Sequence, residues 1–479
     1  MKTAVVLTLI IFFVIIFIIG LYSGRMVNRS TSFVQEYFLG SRELGGFILA
    51  MTMAATYGSA SSFLSGPGAA YQYGLAWVLL AMSQVATGYF VLLILGKKFA
   101  IMARKYKAVT LIDFLYARYQ SKAVVVLASV SIIIFLFSAM LAQWIGGARL
   151  VESITGLSYT KALIIFAISV IMYVAIGGFR AVALTDAVQG TIMVIGTMIL
   201  LVGALVAGGG MENIMGTLRE ENPNLLSPFG HDRNLSPMYI SSFWILVGVG
   251  VVGLPQVAVR AMSYKNAKAM HRALLIGTIV VGVIMLGMHL IGVMARAIIP
   301  GIEVGDKVMP ELAMTVLPHW LSGIVLTAPM AAIMSTVDSL LLLVASAVVK
   351  DLYLNFIKPD ATEQTIKRWS ITITAMIGVA VFLFALNPPN LIIWLNLFSF
   401  GGLEAVFIWP IVLGLYWKNG NKHGALASMV VGMVSYILFS TFYPNAFKMH
   451  TVVLPMMFSL FTYYIISKMT NKKLKESMK

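Results

Sequence analysis

The chain has 479 residues, 59% of them hydrophobic and only 11% charged, with a mean hydropathy of +0.91, whereas soluble domains carry about a quarter charged residues. That composition excludes a soluble globular protein and points to an all-α polytopic membrane protein. The formal charge of +16 would suit a nucleic-acid binder only if the protein were soluble, and the absence of cysteine removes disulfides, thiolate metal sites and cysteine nucleophiles. The six histidines show neither H-E-x-x-H nor H-x-x-E-H spacing, so zinc chemistry is not expected.

Apolar runs of about 20 residues, the length needed to cross a bilayer, fall near 3–24, 45–70, 75–96, 123–148, 158–177, 183–207, 239–262, 273–298, 320–349, 367–386, 390–417, 424–443 and 449–468. Thirteen spans are therefore expected. The first is too long for a signal-peptide core and has no A-x-A cleavage site, so it reads as a retained helix.

Span 2 contains AATYGSASSFLSGPGAAY, in which Gly58, Gly66, Pro67 and Gly68 interrupt the apolar pattern and Ser59, Ser61 and Ser62 add hydroxyls. Span 4 carries Gln143 and Trp144, with Arg149 near its end, and Asp186 stands at the start of span 6. Span 7 is interrupted at Gly253 and Pro255, next to Gln256. Span 9 places Ala332, Ser335, Thr336 and Ser339 at i, i+3, i+4 and i+7, one helical stripe, with Asp338 beside it. Span 11 holds Asn396 and Glu404.

Helix-breaking backbone at bilayer depth is tolerated only where protein or a water-filled cavity satisfies its N–H and C=O groups, so spans 2 and 7 should each line a cavity. They are also the first members of two runs of five, spans 2–6 and 7–11, that cross in opposite directions. Such a pair is the sequence mark of an inverted-repeat transporter with its site at the midplane. The expected organisation is 1–44 as a first helix and loop, 45–207 and 239–417 as the repeats, 208–238 as an outer loop, and 418–479 as two extra helices and a basic tail. If the N-terminus faces out, 26 of the 34 Lys and Arg fall in inside segments and 8 outside, which sets the orientation with the C-terminus in the cytoplasm. The basic excess is then an orientation signal and no nucleic-acid partner is expected.

Ionisable groups within spans are costly and are read as functional by default. The hydroxyls of Ser335 and Thr336 would suit a small hard cation, or else bond to their own i−4 carbonyls. Asp186 could bind a cation, relay a proton or pair with Arg180. Glu404 could bond a substrate, act in a gate or pack in protonated form.

Several stretches resemble the sodium/solute symporter family: YFLGSRELGG, the interrupted span 2, GGFRAVALTDAVQG, AAIMST and GLYWKNGNKHGALASMVVG. Within that family the phrases SGPGAAYQYGLAWVLLAM, WIGGARLVE, GLPQVAVRAMSYK and IIWLNLFSFGGLEAVFIWP are similar to the pantothenate-carrying branch. The resemblance implies a LeuT-type 5+5 core and sodium as the co-transported ion, with no other cofactor. It puts the main sodium site on the carbonyls of Ala55, Gly58 and Ala332 and the hydroxyls of Ser335 and Thr336. Asp186 matches an aspartate tied to ion coupling and, with Ser339 of the span 9 stripe, is the candidate for a further sodium site. Arg42 matches an arginine near the inner gate. Asp338, where a neutral residue is expected in several relatives, is a departure from the family and a further candidate for coupling.

The expected cargo is pantothenate, taken up across the bacterial cytoplasmic membrane by a monomer that is no enzyme. Proline or another small monocarboxylate is the alternative; the proline-transporting branch has an aspartate where this chain has Tyr57. The expected walls of the substrate cavity are Ser59, Ser61, Ser62, Gln143, Trp144, Gln256, Asn396 and Glu404.

Overall fold

The computed structural model describes residues 2–27, 42–233 and 235–477. It is built of helices, with no sheet among the described residues beyond one bridge between Leu44 and Tyr264. In a bilayer only helices or closed barrels satisfy every main-chain polar group internally, and a sequence of long apolar runs takes the helical solution. Eight helices are long and apolar enough to cross, and two bent pairs raise the number to ten by length and composition. The runs expected near 3–24 and 158–177 lie on shorter apolar stretches, Val5–Ile19 and Tyr159–Ile171. Spans 5 and 6 fall within one helical stretch, Tyr159–Ala207. Part of the stretch YFLGSRELGG and the side chain of Arg180 lie outside the described residues.

The helix His319–Ser346 is the centre of the bundle: an 18-residue apolar window of the span His319–Ile357 is 89% buried, against 28% for Glu363–Phe384 and Lys422–Phe442. Apart from its exposed first turns, protein surrounds it, so Ser335, Thr336, Ser339 and Asp338 face other helices rather than lipid. The two bent pairs pack against it, Gly46–Tyr57 with Ser61–Tyr73 at 67° and Pro237–Gly253 with Pro255–Met262 at 51°. Their ends are tied by main chain, Leu44 N–H donating to Ser263 at 3.1 Å and Lys265 N–H to Leu44 at 3.0 Å.

The first bend sits at Gly58 and Ser59, where Gly58 is extended (φ −69°, ψ 124°) and ends the helix Gly46–Tyr57. The second sits at Leu254 (φ −80°, ψ 123°), followed by Pro255 in the first helical turn, where its missing N–H costs nothing. Gly66, Pro67 and Gly68, expected to help break span 2, instead lie inside the helix Gly66–Tyr73. Their physical role is close approach: a methyl on Gly68 would enter the space of the Gly305 carbonyl, and one on Gly66 would come within 2.7 Å of His289 Nε2. Gly68→Ala should therefore overpack a main-chain contact and cost about 1–3 kcal/mol. A lowered melting temperature and membrane yield, with Gly45→Ala as the open-space control, would show it.

Candidate functional site

The bend leaves the last carbonyls of the helix Gly46–Tyr57 without main-chain donors, as any helix C-terminus does, and the stripe on His319–Ser346 meets them. Ser335 Oγ donates to the Ala55 carbonyl at 2.7 Å and to that of Ala332 at 3.2 Å. Thr336 Oγ1 donates to the Gly58 carbonyl at 3.0 Å and to that of Ala332 at 2.9 Å. Five oxygens from two helices far apart in sequence thus converge in a buried place. All are hard, neutral ligands of the kind that suit a small hard cation. The negative end of a half-helix dipole adds to the attraction. No group of three or more His, Cys, Asp or Glu that could hold a metal occurs among the described residues.

One turn further along, a buried ionic network joins four elements. Arg260, 2% exposed, donates to Asp186 Oδ2 at 3.1 Å, to Ser339 Oγ at 2.8 Å, to Thr52 Oγ1 at 3.0 Å and to the Gln256 carbonyl at 3.0 Å. Thr52 also donates to Asp186, and Ser339 to the Ser335 carbonyl. Among the described residues Asp186 pairs with Arg260; the side chain of Arg180, the partner weighed in sequence, lies outside them. Arg260 itself, counted among the orientation charges in sequence, is a buried partner. Asp338 is 0% exposed, and neither of its carboxyl oxygens has a hydrogen-bond partner. It shares the face of Ser335 at i+3.

Beyond the bend, a cavity lies between the two bent pairs and the helices Leu75–Met82, Ala267–Ile298 and Ile393–Tyr416. Its apolar wall is aromatic, with Tyr57, Trp77, Phe243 and Phe400, and its polar groups are Ser61, Ser62, Gln84, His289 and Asn396. A concave, mainly apolar site with a few convergent polar groups is the usual form of a small-molecule site. Tyr57 closes one side, its hydroxyl donating to the Val247 carbonyl at 3.1 Å and its ring 6.4 Å from that of Phe400. Ser61, Ser62 and Asn396 among the expected wall residues are there. Ser59, Gln143, Trp144, Gln256 and Glu404 are not at this cavity.

Each of those five is buried elsewhere. Gln143 Oε1 accepts the Ala60 N–H at 2.8 Å and so caps the half-helix beyond the bend. Trp144 packs edge-on to Phe166. Glu404 lies against Gly250 and Gly253 of the second bend. The sequence reading missed Gln84 and His289, both single polar residues in otherwise apolar runs. Gln143→Leu should leave the Ala60 N–H without a partner, costing about 1–3 kcal/mol. The expected readout is a several-fold weaker substrate affinity in uptake, with membrane yield retained.

Residues 37–432 match the sodium:solute symporter family. The chain belongs to that family. It is 52% identical over 468 residues to the sodium/pantothenate symporter of Escherichia coli, covering 97% of this chain and 96% of that one, and 48% identical over 480 residues to that of Haemophilus influenzae, covering 100% and 99%. Proline transporters of the family are more distant. Among solved structures, a Na+-coupled sialic acid symporter in a substrate-bound outward-open state superposes with a TM-score of 0.81 at 18% identity, covering 97% of this chain and 98% of that one. The fold of this sodium:solute symporter is thus the LeuT type expected from the resemblance. Its relatives and fold are those of sodium-coupled transporters rather than enzymes.

The two ends of the symporter's core are held differently. Arg42, with φ at +60°, donates to the Ala108 carbonyl at 2.6 Å, and Arg104 to that of Tyr264 at 2.6 Å, close to the Leu44 bridge. At the opposite end Asp306 accepts from Ser65 and lies 3.7 Å from Arg149, which also donates to the Pro389 carbonyl. Burial lifts the Asp306 carboxyl to about 6, against the Ser65 bond and the Arg149 charge that hold it down, so at neutral pH it is the anion that Arg149 pairs with.

Proposed function

We propose that this symporter imports pantothenate with sodium across the bacterial cytoplasmic membrane by alternating access, with its N-terminus outside and C-terminus inside. The single observation that carries the reading is the junction at Gly58. There the carbonyls of Ala55 and Gly58 meet the Ser335 and Thr336 hydroxyls, and the same bent segment supplies Ser61 and Ser62 to the cavity. A sodium ion held by the five oxygens ties the bent segment to the central helix and so fixes the cavity wall. By linkage, substrate must then tighten sodium by the factor by which sodium tightens substrate. The close similarity to sodium/pantothenate symporters supports pantothenate as the cargo. Tyr57 supports it against proline by closing the cavity with an aromatic ring and a committed hydroxyl.

The substrate is a monoanion, so an inward-negative potential, worth about 2.3 kcal/mol per charge per 100 mV, contributes only if more than one cation enters. In this reading Asp186 and Ser339, which Arg260 joins, are the candidate ligands of a second ion, Asp338 serves in coupling, and Arg42 acts in the gate at its end of the core. The five-helix repeats are 45–207 and 239–417, and the unit is a monomer. The test is uptake of labelled pantothenate into proteoliposomes with proline as competitor. Concentrative, saturable uptake driven by an inward sodium gradient and resistant to excess proline is expected; uptake indifferent to sodium, or displaced by proline, would contradict it.

A further inference from the structure

His289 is the one histidine at the cavity, 3% exposed, on the helix Ala267–Ile298. Its Nδ1 lies 2.6 Å from the Met285 carbonyl one turn back. A carbonyl only accepts, so Nδ1 carries a proton, and in the neutral imidazole Nε2 is then the acceptor. The Nε2 edge of the ring packs close to the bent segment, where a methyl on Gly66 would fall 2.7 Å from Nε2 and 3.1 Å from the Ser61 carbonyl, and His289 lines the cavity beside it. The Nδ1 contact is the hydrogen bond His289 makes among the described residues. Two more polar atoms bordering the cavity are buried without partners, Ser61 Oγ and Asn396 Oδ1. Buried polar atoms without partners are costly, and these two, from separate helices, belong to residues that line one cavity.

We infer that His289 is a specificity residue: its Nε2 accepts a hydrogen bond from a hydroxyl at the uncharged end of the substrate, with Asn396 Oδ1 as a second acceptor from the facing helix. The inference rests on the functional reading above and deepens it by naming what reads the alcohol groups of the cargo. A site that hydrogen-bonds a substrate hydroxyl rejects the analogue that lacks it, because its own polar atoms are then left unpaired. A carboxylate whose far end carries neither a hydroxyl nor an N–H donor leaves both acceptors unanswered.

The test compares uptake of pantothenate with that of its analogue in which the primary hydroxyl is replaced by hydrogen, in wild-type protein and in His289→Leu and His289→Gln. In the wild type, kcat/KM for pantothenate should exceed that for the analogue by about tenfold or more. In His289→Leu the ratio should fall toward one, chiefly through a higher KM for pantothenate, while sodium stimulation persists. His289→Gln keeps an acceptor on a side chain of similar length and should restore much of the ratio. A His289→Leu protein that does not insert is replaced by His289→Met, which carries the same expectation. A ratio unchanged by both apolar replacements would overturn this inference alone. Absence of pantothenate uptake by the wild type would overturn the functional reading and this inference with it.

Discussion

Replacing Ser335 and Thr336 together by alanine is expected to abolish sodium-stimulated uptake while leaving the protein in the membrane. The two hydroxyls are the side-chain members of an oxygen cluster whose other three members are carbonyls that no substitution removes. A hydrogen bond or ligand contact to a charged group is worth about 1.5–3 kcal/mol, so losing both should weaken apparent sodium affinity by about 100-fold or more. Thr336→Ser keeps the oxygen and should retain most of the activity. Sodium activation curves in proteoliposomes, with fluorescence-detected gel filtration as the folding control, make the measurement. Unchanged sodium dependence in the double variant would remove the ion-site assignment.

The second large effect is expected at the Asp186–Arg260 pair. Both groups are almost wholly shielded, and Arg260 reaches Thr52, Gln256 and Ser339 as well as Asp186. Removing one partner of a buried ion pair leaves an uncompensated charge and costs about 3–5 kcal/mol. Replacing both by apolar residues of similar volume is often close to neutral. Asp186→Leu and Arg260→Met should each lower the melting temperature of the purified protein sharply, and the double variant should recover most of the loss. Transport should stay absent in all three, because the network joins both bent segments to the central helix. Single variants that melt with the wild type would show that the pair does not hold these elements together.

Much of this architecture was readable from hydropathy and from where it failed. The apolar runs placed the long helices, of which eight to ten cross by length and composition rather than the thirteen expected, and two Gly/Pro interruptions located the bends, because a bilayer leaves unwound main chain few other uses. The Ser335–Thr336 stripe followed from helical spacing, and its partners on the bent span came from the family resemblance. What sequence could not resolve was which glycines unwind the chain and which merely let helices approach. Gly58 does the first and Gly68 the second, a difference set by the neighbouring Gly305 main chain and not by local propensity. Pairings across long separations were also illegible. Arg260 lies 74 residues from Asp186 and 208 from Thr52, and nothing local distinguishes it from an orientation charge. Gln143 was read as a wall of the cavity because a polar residue in a span has many possible partners; the Ala60 N–H that takes it is exposed only once the bend forms. His289 carried a usable signal, a lone imidazole in the apolar run MLGMHLIGVM, and needed only the rule that such residues face protein.

In the proposed function one ion, seated where the bent segment meets the central helix, organises the cavity for its substrate. The most direct measurement is equilibrium binding of pantothenate to the purified protein across a sodium titration, paired with sodium binding across a pantothenate titration. Mutual tightening by the same factor, about tenfold or greater, and its loss in the Ser335→Ala/Thr336→Ala protein are the predicted results. Affinities for the two that are independent of each other would contradict it.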